Sequence, residues 1–437
     1  MSLRLPPTLS PTANVRRSCQ MLMEEPLVDC FLEEPFDLTS QRPTCTAPPS
    51  SKARRTVGIY STSLTKLAAK IAKQITDGPD SSSSESIEWD ADGWHYTGAN
   101  FARRPSANTP TCANNDVEAQ RVERVLLYIL ALDAINFCFW PTEDESGASV
   151  CRNNLLGYEH LATALRRMAE RDDVFSNRDG DGNEADTYAF SPNKLVNMNT
   201  MSLLSDIRAN LPHETEDSGC YHIPNASERV RLLKELGHGL IVHHNGSATS
   251  MLQKCVGPNG KPSAVKLVDV ITSTFRGFRD ESVDANGRQI CFYKRAQIVT
   301  GDIWAAFGRG QKETPGSKLT NFDDISELTT FADYRVPQLL RHVGVLRYSE
   351  ELSAKIDNMV ELAAGSSDEH FIRAGTVVAV DRLVKEVRCI LKDTNAAQNK
   401  IDEISAILLD WHLWQIGEKL DREGTLKPHH RVRTIFY

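Results

Sequence analysis

The chain has 437 residues, 40% hydrophobic and 25% charged, with a formal net charge of −8 at pH 7. That length holds two or three average domains or one large domain with insertions, and the apolar content suffices for a sizeable core. The acidic balance disfavours a protein that grips duplex nucleic acid through many phosphates, since such surfaces are usually basic, and it favours small substrates instead.

Residues 1 to about 55 are rich in Pro, Ser and Thr without apolar periodicity and read as a disordered, mobile extension. The first 23 carry three arginines and no acid, so an organelle transit peptide stands beside that reading. In SLTKLAAKIAKQI the apolar residues Leu64, Leu67, Ala68, Ile71 and Ile75 predict an amphipathic helix. Two polar stretches, near 78–115 and 172–190, read as surface insertions. Between them the apolar run Val125 to Trp140 is interrupted by Asp133 and Asn136 and is shorter than the roughly 20 residues of a membrane span. A buried helix, with no membrane association, is expected there.

Helices are further predicted over 158–170, 192–208 after the Ser191-Pro192 start signal, 227–243 and 264–278. DANGRQICFY, with its Asn-Gly turn, predicts one small β-hairpin. The following helix places Ala296, Val299, Thr300, Ile303, Trp304 and Phe307 on one face, leaving Arg295 and Asp302 off that stripe. There is no internal repeat, so the expected architecture is a single, mainly α domain over 56–437 with surface insertions. The ten cysteines form no C-x-x-C pair, which suggests neither zinc nor disulfides and makes reduced thiols in the cytoplasm the expectation.

Several segments carry candidate chemistry. In FADYRVPQLLRH, Val336 precedes a proline and should be extended, so a helix is expected to begin near Pro337. On an extended lead-in Phe331 and Asp333 project to one side, and Asp333 stands three residues too early to cap that helix. A pairing with Arg335 or Arg341 and a role in chemistry both remain open for it. In AILLDWHLWQIG, Asp410, Trp411, Trp414 and Gln415 share one helical face. Asp410 reads equally as a buried acid that ties helices together and as part of a slot in which indoles stack on a flat base while acceptors read its N–H groups. The terminal KPHHRVRTIFY, with His430, Arg431 and Arg433, reads either as a packed basic tail or as a monophosphate site. NRDGDG lacks the twelfth-position glutamate of a calcium loop, and His238, His243 and His244 have spacings unsuited to zinc on one helix face.

Taken together, LDAINFCFW, FYKRAQIV, FADYRVPQLLRHVGVLRYS, ILLDWHLWQ and KPHHRVRTIFY resemble, in order and spacing, the queuosine salvage proteins, the queuosine 5′-phosphate N-glycosylase/hydrolase family. The resemblance covers roughly residues 56–437. It implies a fold similar to helix-hairpin-helix DNA glycosylases, with QLLRHVGVLRYSEEL around Gly344 as the hairpin. The implied activity is hydrolysis of the N-glycosidic bond of queuosine 5′-monophosphate, releasing queuine for transfer RNA modification, with no metal and no cofactor. By matching position, Asp333 corresponds to the family's nucleophile or transition-state stabiliser, with Phe331 beside the base. Asp410, Trp411 and Gln415 match base-binding positions, and His95 matches an N-terminal histidine contact. The position of Gln415 can be aspartate in the family, so charge attraction to the amine-bearing arm of the base is absent from that residue here.

Two rival readings stand beside this one. A DNA base-excision glycosylase is favoured by the implied fold and disfavoured by the acidic balance. A non-catalytic module that binds queuosine is favoured by Gln415. Nothing in the sequence fixes the oligomeric state.

Overall fold

The computed structural model describes residues 9–24, 55–77, 89, 93, 95, 96, 114–140, 157–175, 188–211, 223–310 and 316–437. Its helices are α1 (Pro11–Glu24), α2 (Ser61–Asp77), α3 (Asn114–Ala134), α4 (Tyr158–Phe175), α5 (Pro192–Asn197), α6 (Thr200–Ala209), α7 (Ala226–His244), α8 (Ala248–Leu252), α9 (Ala264–Thr274), α10 (Lys294–Ala306), α11 (Ser317–Thr320), α12 (Arg335–His342), α13 (Glu350–Asp357), α14 (Ser367–Asp393), α15 (Gln398–Glu403) and α16 (Ala406–Arg422). The strands are short: β1 (Val57–Ile59) pairs antiparallel with β4 (Leu346–Tyr348), β2 (Glu281–Val283) antiparallel with β3 (Gln289–Cys291), and β5 (Glu361–Leu362) parallel with β6 (Arg431–Val432). The protein is therefore mainly α, and the hairpin at the Asn-Gly turn forms as the sequence predicts.

Four boundaries differ from the sequence expectation, each for a local reason. Residues 11–24 are not a mobile extension. They form α1, whose Val15 and Cys19 are fully buried against α14 and β3, and Arg16 pairs with Asp381 at 3.2 Å. The stretch 192–208 is two helices, because Asn199 leaves helical geometry and starts α6 with reciprocal side-chain bonds to and from Ser202. The expected helix 264–278 ends as α9 at Thr274 and passes into a 3-10 turn at Arg276–Phe278. There the Gly277 N–H donates to Glu235 at 2.6 Å, and a Cβ at 277 would meet Leu232 Cδ2 at 2.1 Å.

The fourth difference is α12, which begins at Arg335 rather than near Pro337. Asp333 Oδ1 accepts from the N–H groups of Arg335 (2.8 Å) and Val336 (3.2 Å), so it satisfies first-turn donors that the sequence reading left to Val336. Pro337 still falls within that first turn, where its missing N–H costs no intrahelical bond. α12 packs on α16 and α14, and α14 in turn on α1 and α2, so the segment bearing Asp333 is seated on the core. Among the described residues no helix is long and apolar enough to cross a membrane. The calcium-like loop lies outside the described residues except for Tyr188, which is buried and donates to Arg124 O at 2.7 Å.

Candidate active site

A cavity of about 280 Å³ lies between the C-terminal end of α3, the starts of α4 and α10, the segment before α12, and α16. A wider depression of about 1050 Å³ beside α3 and α8 is less suited to chemistry, because its Glu123 carboxylate is occupied by the Ser247 hydroxyl and the N–H groups of Ala248 and Thr249.

Each wall of the smaller cavity is held by buried polar groups. α3 stops at Ala134, and the chain runs on in non-helical form so that Asn136, Phe137 and Phe139 reach the cavity. Two buried arginines take the carbonyls freed there: Arg229 donates to Ile135, Phe137 (2.6 Å) and Cys138 (3.2 Å), and Arg295 to Asp133 (3.1 Å) and Ala134. Cations at a helix C-terminus also complement its dipole. α10 starts from Tyr293 in left-handed geometry and presents Lys294, Ile298 and Asp302, spaced four apart, to the cavity.

The segment from Thr329 to Tyr334 is fixed at three points. Gln297 accepts from the Thr329 N–H at 2.8 Å and donates to its hydroxyl at 2.9 Å. Arg373 donates to Ala332 O at 2.9 Å while it pairs with Asp280 through both guanidinium arms. Asp410 Oδ2 accepts from the Thr330 hydroxyl and from the Phe331 N–H at 2.8 Å. Phe331 and Asp333 consequently both line the cavity, on the same side as expected. Asp333 uses Oδ1 for the start of α12, and among the described residues Oδ2 accepts no hydrogen bond. One oxygen anchors the residue, and the other is available to a ligand.

On α16, Asp410, Trp411, Trp414, Glu418, Asp421 and Arg422 line the cavity. Burial, reinforced by the neighbouring Asp333 charge, pushes the Asp410 carboxyl up to about 8, against the opposing bonds from Thr330 and Phe331 and the nearby Lys294 charge. Trp304 stacks on Trp411 with ring centroids 6.3 Å apart, and Tyr158 meets Trp414 edge-on at 5.9 Å. At the rim Arg335 bonds to Glu418 (2.6 Å) and Asp421 (3.1 Å), and Gly417 leaves room for its side chain, since a Cβ there would lie 2.9 Å from Arg335 Cδ.

His95 and Trp89, from the expected first insertion, also line this cavity. Their rings stack at 4.4 Å, Trp89 Nε1 donates to Asp302 at 2.8 Å, and His95 Nε2 lies 3.3 Å from the Tyr158 hydroxyl. Burial, with Arg166 adding to it, lowers the His95 imidazole to about 3, so it is neutral at physiological pH and serves as a hydrogen-bonding wall.

Of the residues singled out from sequence, the fold thus brings together Asp333, Phe331, Asp410, Trp411, Trp414 and His95. Gln415 is half-buried and is not part of the cavity lining. The basic C-terminal residues are also elsewhere: His430 is buried against Tyr437, Arg431 lies over Trp140 and Arg433 pairs with Glu361. Sequence reasoning missed Lys294, Asp302, Tyr158 and Glu418. Asp302 carried one visible signal, since it stood off the core stripe of its own helix.

Known proteins are similar to the chain over most of its length. The model of the queuosine salvage protein family matches residues 116–437. A queuosine 5′-phosphate N-glycosylase/hydrolase of Dictyostelium discoideum is 36% identical over 350 residues, 79% of this chain and 85% of that protein. Proteins of the same name from Sphaerobacter thermophilus and Mus musculus are 36% and 31% identical, each over 72% of this chain and 82% of their own length. The motifs that build the cavity, from the end of α3 to α16, all fall within the matched span, and the chain belongs to the queuosine salvage protein family.

Proposed function

We propose that this protein hydrolyses the N-glycosidic bond of queuosine 5′-monophosphate and releases queuine. The observation that carries the reading is the pair Asp333 and Asp410 facing one cavity, together with relatives named for that activity. The base lies against Phe331 and Trp411 with Asp410 at its polar edge, and His95 and Trp89 cover it. Asp333 Oδ2 faces the ribose, where it offsets the positive charge that develops at the anomeric carbon or attacks that carbon, as carboxylates do in glycoside hydrolysis. Water supplies hydroxide to the sugar, and its proton goes to the departing base.

The same reading extends to fold and cell biology. What supports kinship with helix-hairpin-helix DNA glycosylases is the succession of α12, the turn at Gly344 (φ +75°), the short β4 and α13. Residues 56–437 constitute one catalytic domain onto which α1 docks. The enzyme works on a small molecule in the cytoplasm, without stable nucleic-acid partners.

The test incubates the purified protein with queuosine 5′-monophosphate and follows free queuine by chromatography. Release by wild type supports the reading, and no release by folded protein overturns it. Salt-dependent binding to duplex DNA with excision of a base would favour the rival DNA glycosylase instead.

A further inference from the structure

Lys294 is 4% exposed, yet it lines the cavity at the first position of α10. Among the described residues its ammonium has no ion pair within 4 Å and no hydrogen bond. Its backbone N–H is used, donating to Asp280 Oδ2 at 3.3 Å, so the residue is held in place while the charged end is left for the cavity. A buried, unpaired ammonium is costly, and its presence in a site is usually justified by an anionic ligand. The other cations of the cavity are differently disposed: Arg335 is engaged by Glu418 and Asp421, and Arg422 is at the exposed rim.

Two negative charges of a nucleotide reaction could occupy Lys294: the 5′-phosphate, or the charge that develops on the base as it departs. The carboxylates whose fields act on Lys294 are Asp333, Asp133 and Asp410. A phosphate dianion seated there would carry its full charge beside the Asp333 carboxylate in the ground state, whereas the charge on the base develops only as the bond breaks and does so against Asp410, whose carboxyl burial keeps protonated at neutral pH. The departing base is already placed against Asp410 and next to the bond that Asp333 opens. Its chemistry also needs a donor. Queuine is a 7-deazaguanine, in which the ring position that purine glycosidases protonate is carbon, so the base leaves with its negative charge unless another group supplies a proton.

We propose that Lys294 is a further catalytic residue, the group that neutralises the departing base. As the bond between the anomeric carbon and the ring nitrogen breaks, its electron pair stays on the base and the Lys294 ammonium transfers a proton to it. The ribose then takes hydroxide from water, directly or by release from Asp333, and the remaining water proton returns to the Lys294 amine. Burial lowers the pKa of Lys294 against the opposing pull of Asp333, which makes the ammonium a stronger acid than a surface lysine.

This assignment rests on the glycosidic reading above, and the experiment separates the two. Release of queuine from queuosine 5′-monophosphate is measured as kcat and KM for wild type, Lys294→Met and Lys294→Arg, with folding checked by thermal melting. No release by folded wild type ends the glycosidic reading and the lysine assignment with it. Given wild-type release, Lys294→Met is expected to lose about 10²-fold or more in kcat, as for removal of a general acid, with KM near wild type. Lys294→Arg keeps the buried charge but holds its proton, so its kcat is also reduced and the alkaline fall of the wild-type kcat profile disappears. A Lys294→Met enzyme with wild-type kcat, or with only a raised KM, would overturn the assignment and leave a binding role. If that variant does not fold, Lys294→Arg decides alone: an undiminished kcat with an unchanged alkaline limb overturns it.

Discussion

The Phe331 N–H donates to Asp410 Oδ2 at 2.8 Å, and so joins the segment that carries Asp333 directly to the helix that carries the tryptophans. Asp410 is thus anchored by the backbone of the segment that carries Asp333, Asp333 by the first N–H groups of α12, and each can be altered in charge while its anchoring bonds are kept. In Asp333→Asn the amide oxygen still accepts from Arg335 and Val336, so the start of α12 persists while the charge facing the ribose is gone. The expected result is an unchanged melting temperature with a loss of turnover of at least about 10²- to 10³-fold, the scale for removing one electrostatic stabiliser of a transition state. Normal turnover by this variant would remove Asp333 from the mechanism.

Asp410 gives a pH prediction with a definite sign. Its folded-state pKa is raised by burial to about 8 from an ordinary value of 3.8. The folded state therefore holds a proton that the unfolded chain gives up near pH 4, and this contribution to stability, complete below pH 4, is lost as pH rises towards 8. Asp410→Asn keeps an acceptor for Thr330 and Phe331 but never ionises. Its melting temperature should rise relative to wild type as pH goes from 4 to 8. A difference that stays constant across that window would show that Asp410 does not titrate there.

The rim ion pairs predict a stability effect. Arg335 is nearly buried and holds Glu418 and Asp421, and it also donates to Gln338, whose amide reaches Lys427 O at 2.7 Å. Arg335→Met would leave two partly buried carboxylates facing each other. The loss expected is about 2–4 kcal/mol, between the values for surface pairs and for fully buried ones, read from the midpoint of urea unfolding. A shift under about 1 kcal/mol, the range of a surface pair, would show that solvent replaces the arginine.

How much of this was legible in the sequence depended on whether a residue's direction followed from local periodicity. Alternation along an extended chain placed Phe331 and Asp333 on one side, and helical periodicity placed Asp410, Trp411, Trp414 and Gln415 on one face; all of these line the cavity except Gln415, at the edge of that arc. The start of α12 was misplaced because a side-chain cap from Asp333 outweighs the preference of Val336 for extended geometry. α1 was missed because the Pro- and Ser-rich surroundings mask a short amphipathic run that tertiary contact with α14, β3 and α9 stabilises. Lys294 gave no signal at all: its burial follows from the left-handed turn at Tyr293, which sets where the first residue of α10 points. The basic run at 430–433 resembled a phosphate site by composition, but the pairing of β6 with β5 sets Arg433 beside Glu361, away from the cavity.

Trp89 stacks on His95, and its Nε1 donates to Asp302 of α10 at 2.8 Å. Trp89→Phe retains an aromatic face for His95 but deletes that donor. A hydrogen bond to a charged group contributes about 1.5–3 kcal/mol, so loosening this wall should weaken substrate binding by roughly 10-fold or more. Because Trp89 covers the base and does not act on the ribose in the proposed reading, the change should appear in KM while kcat falls much less. Steady-state kinetics with queuosine 5′-monophosphate separates the two. A fall in kcat at constant KM would instead place Trp89 among the groups that act on the transition state, and the wall formed with His95 would then be part of the chemistry rather than a cover over it.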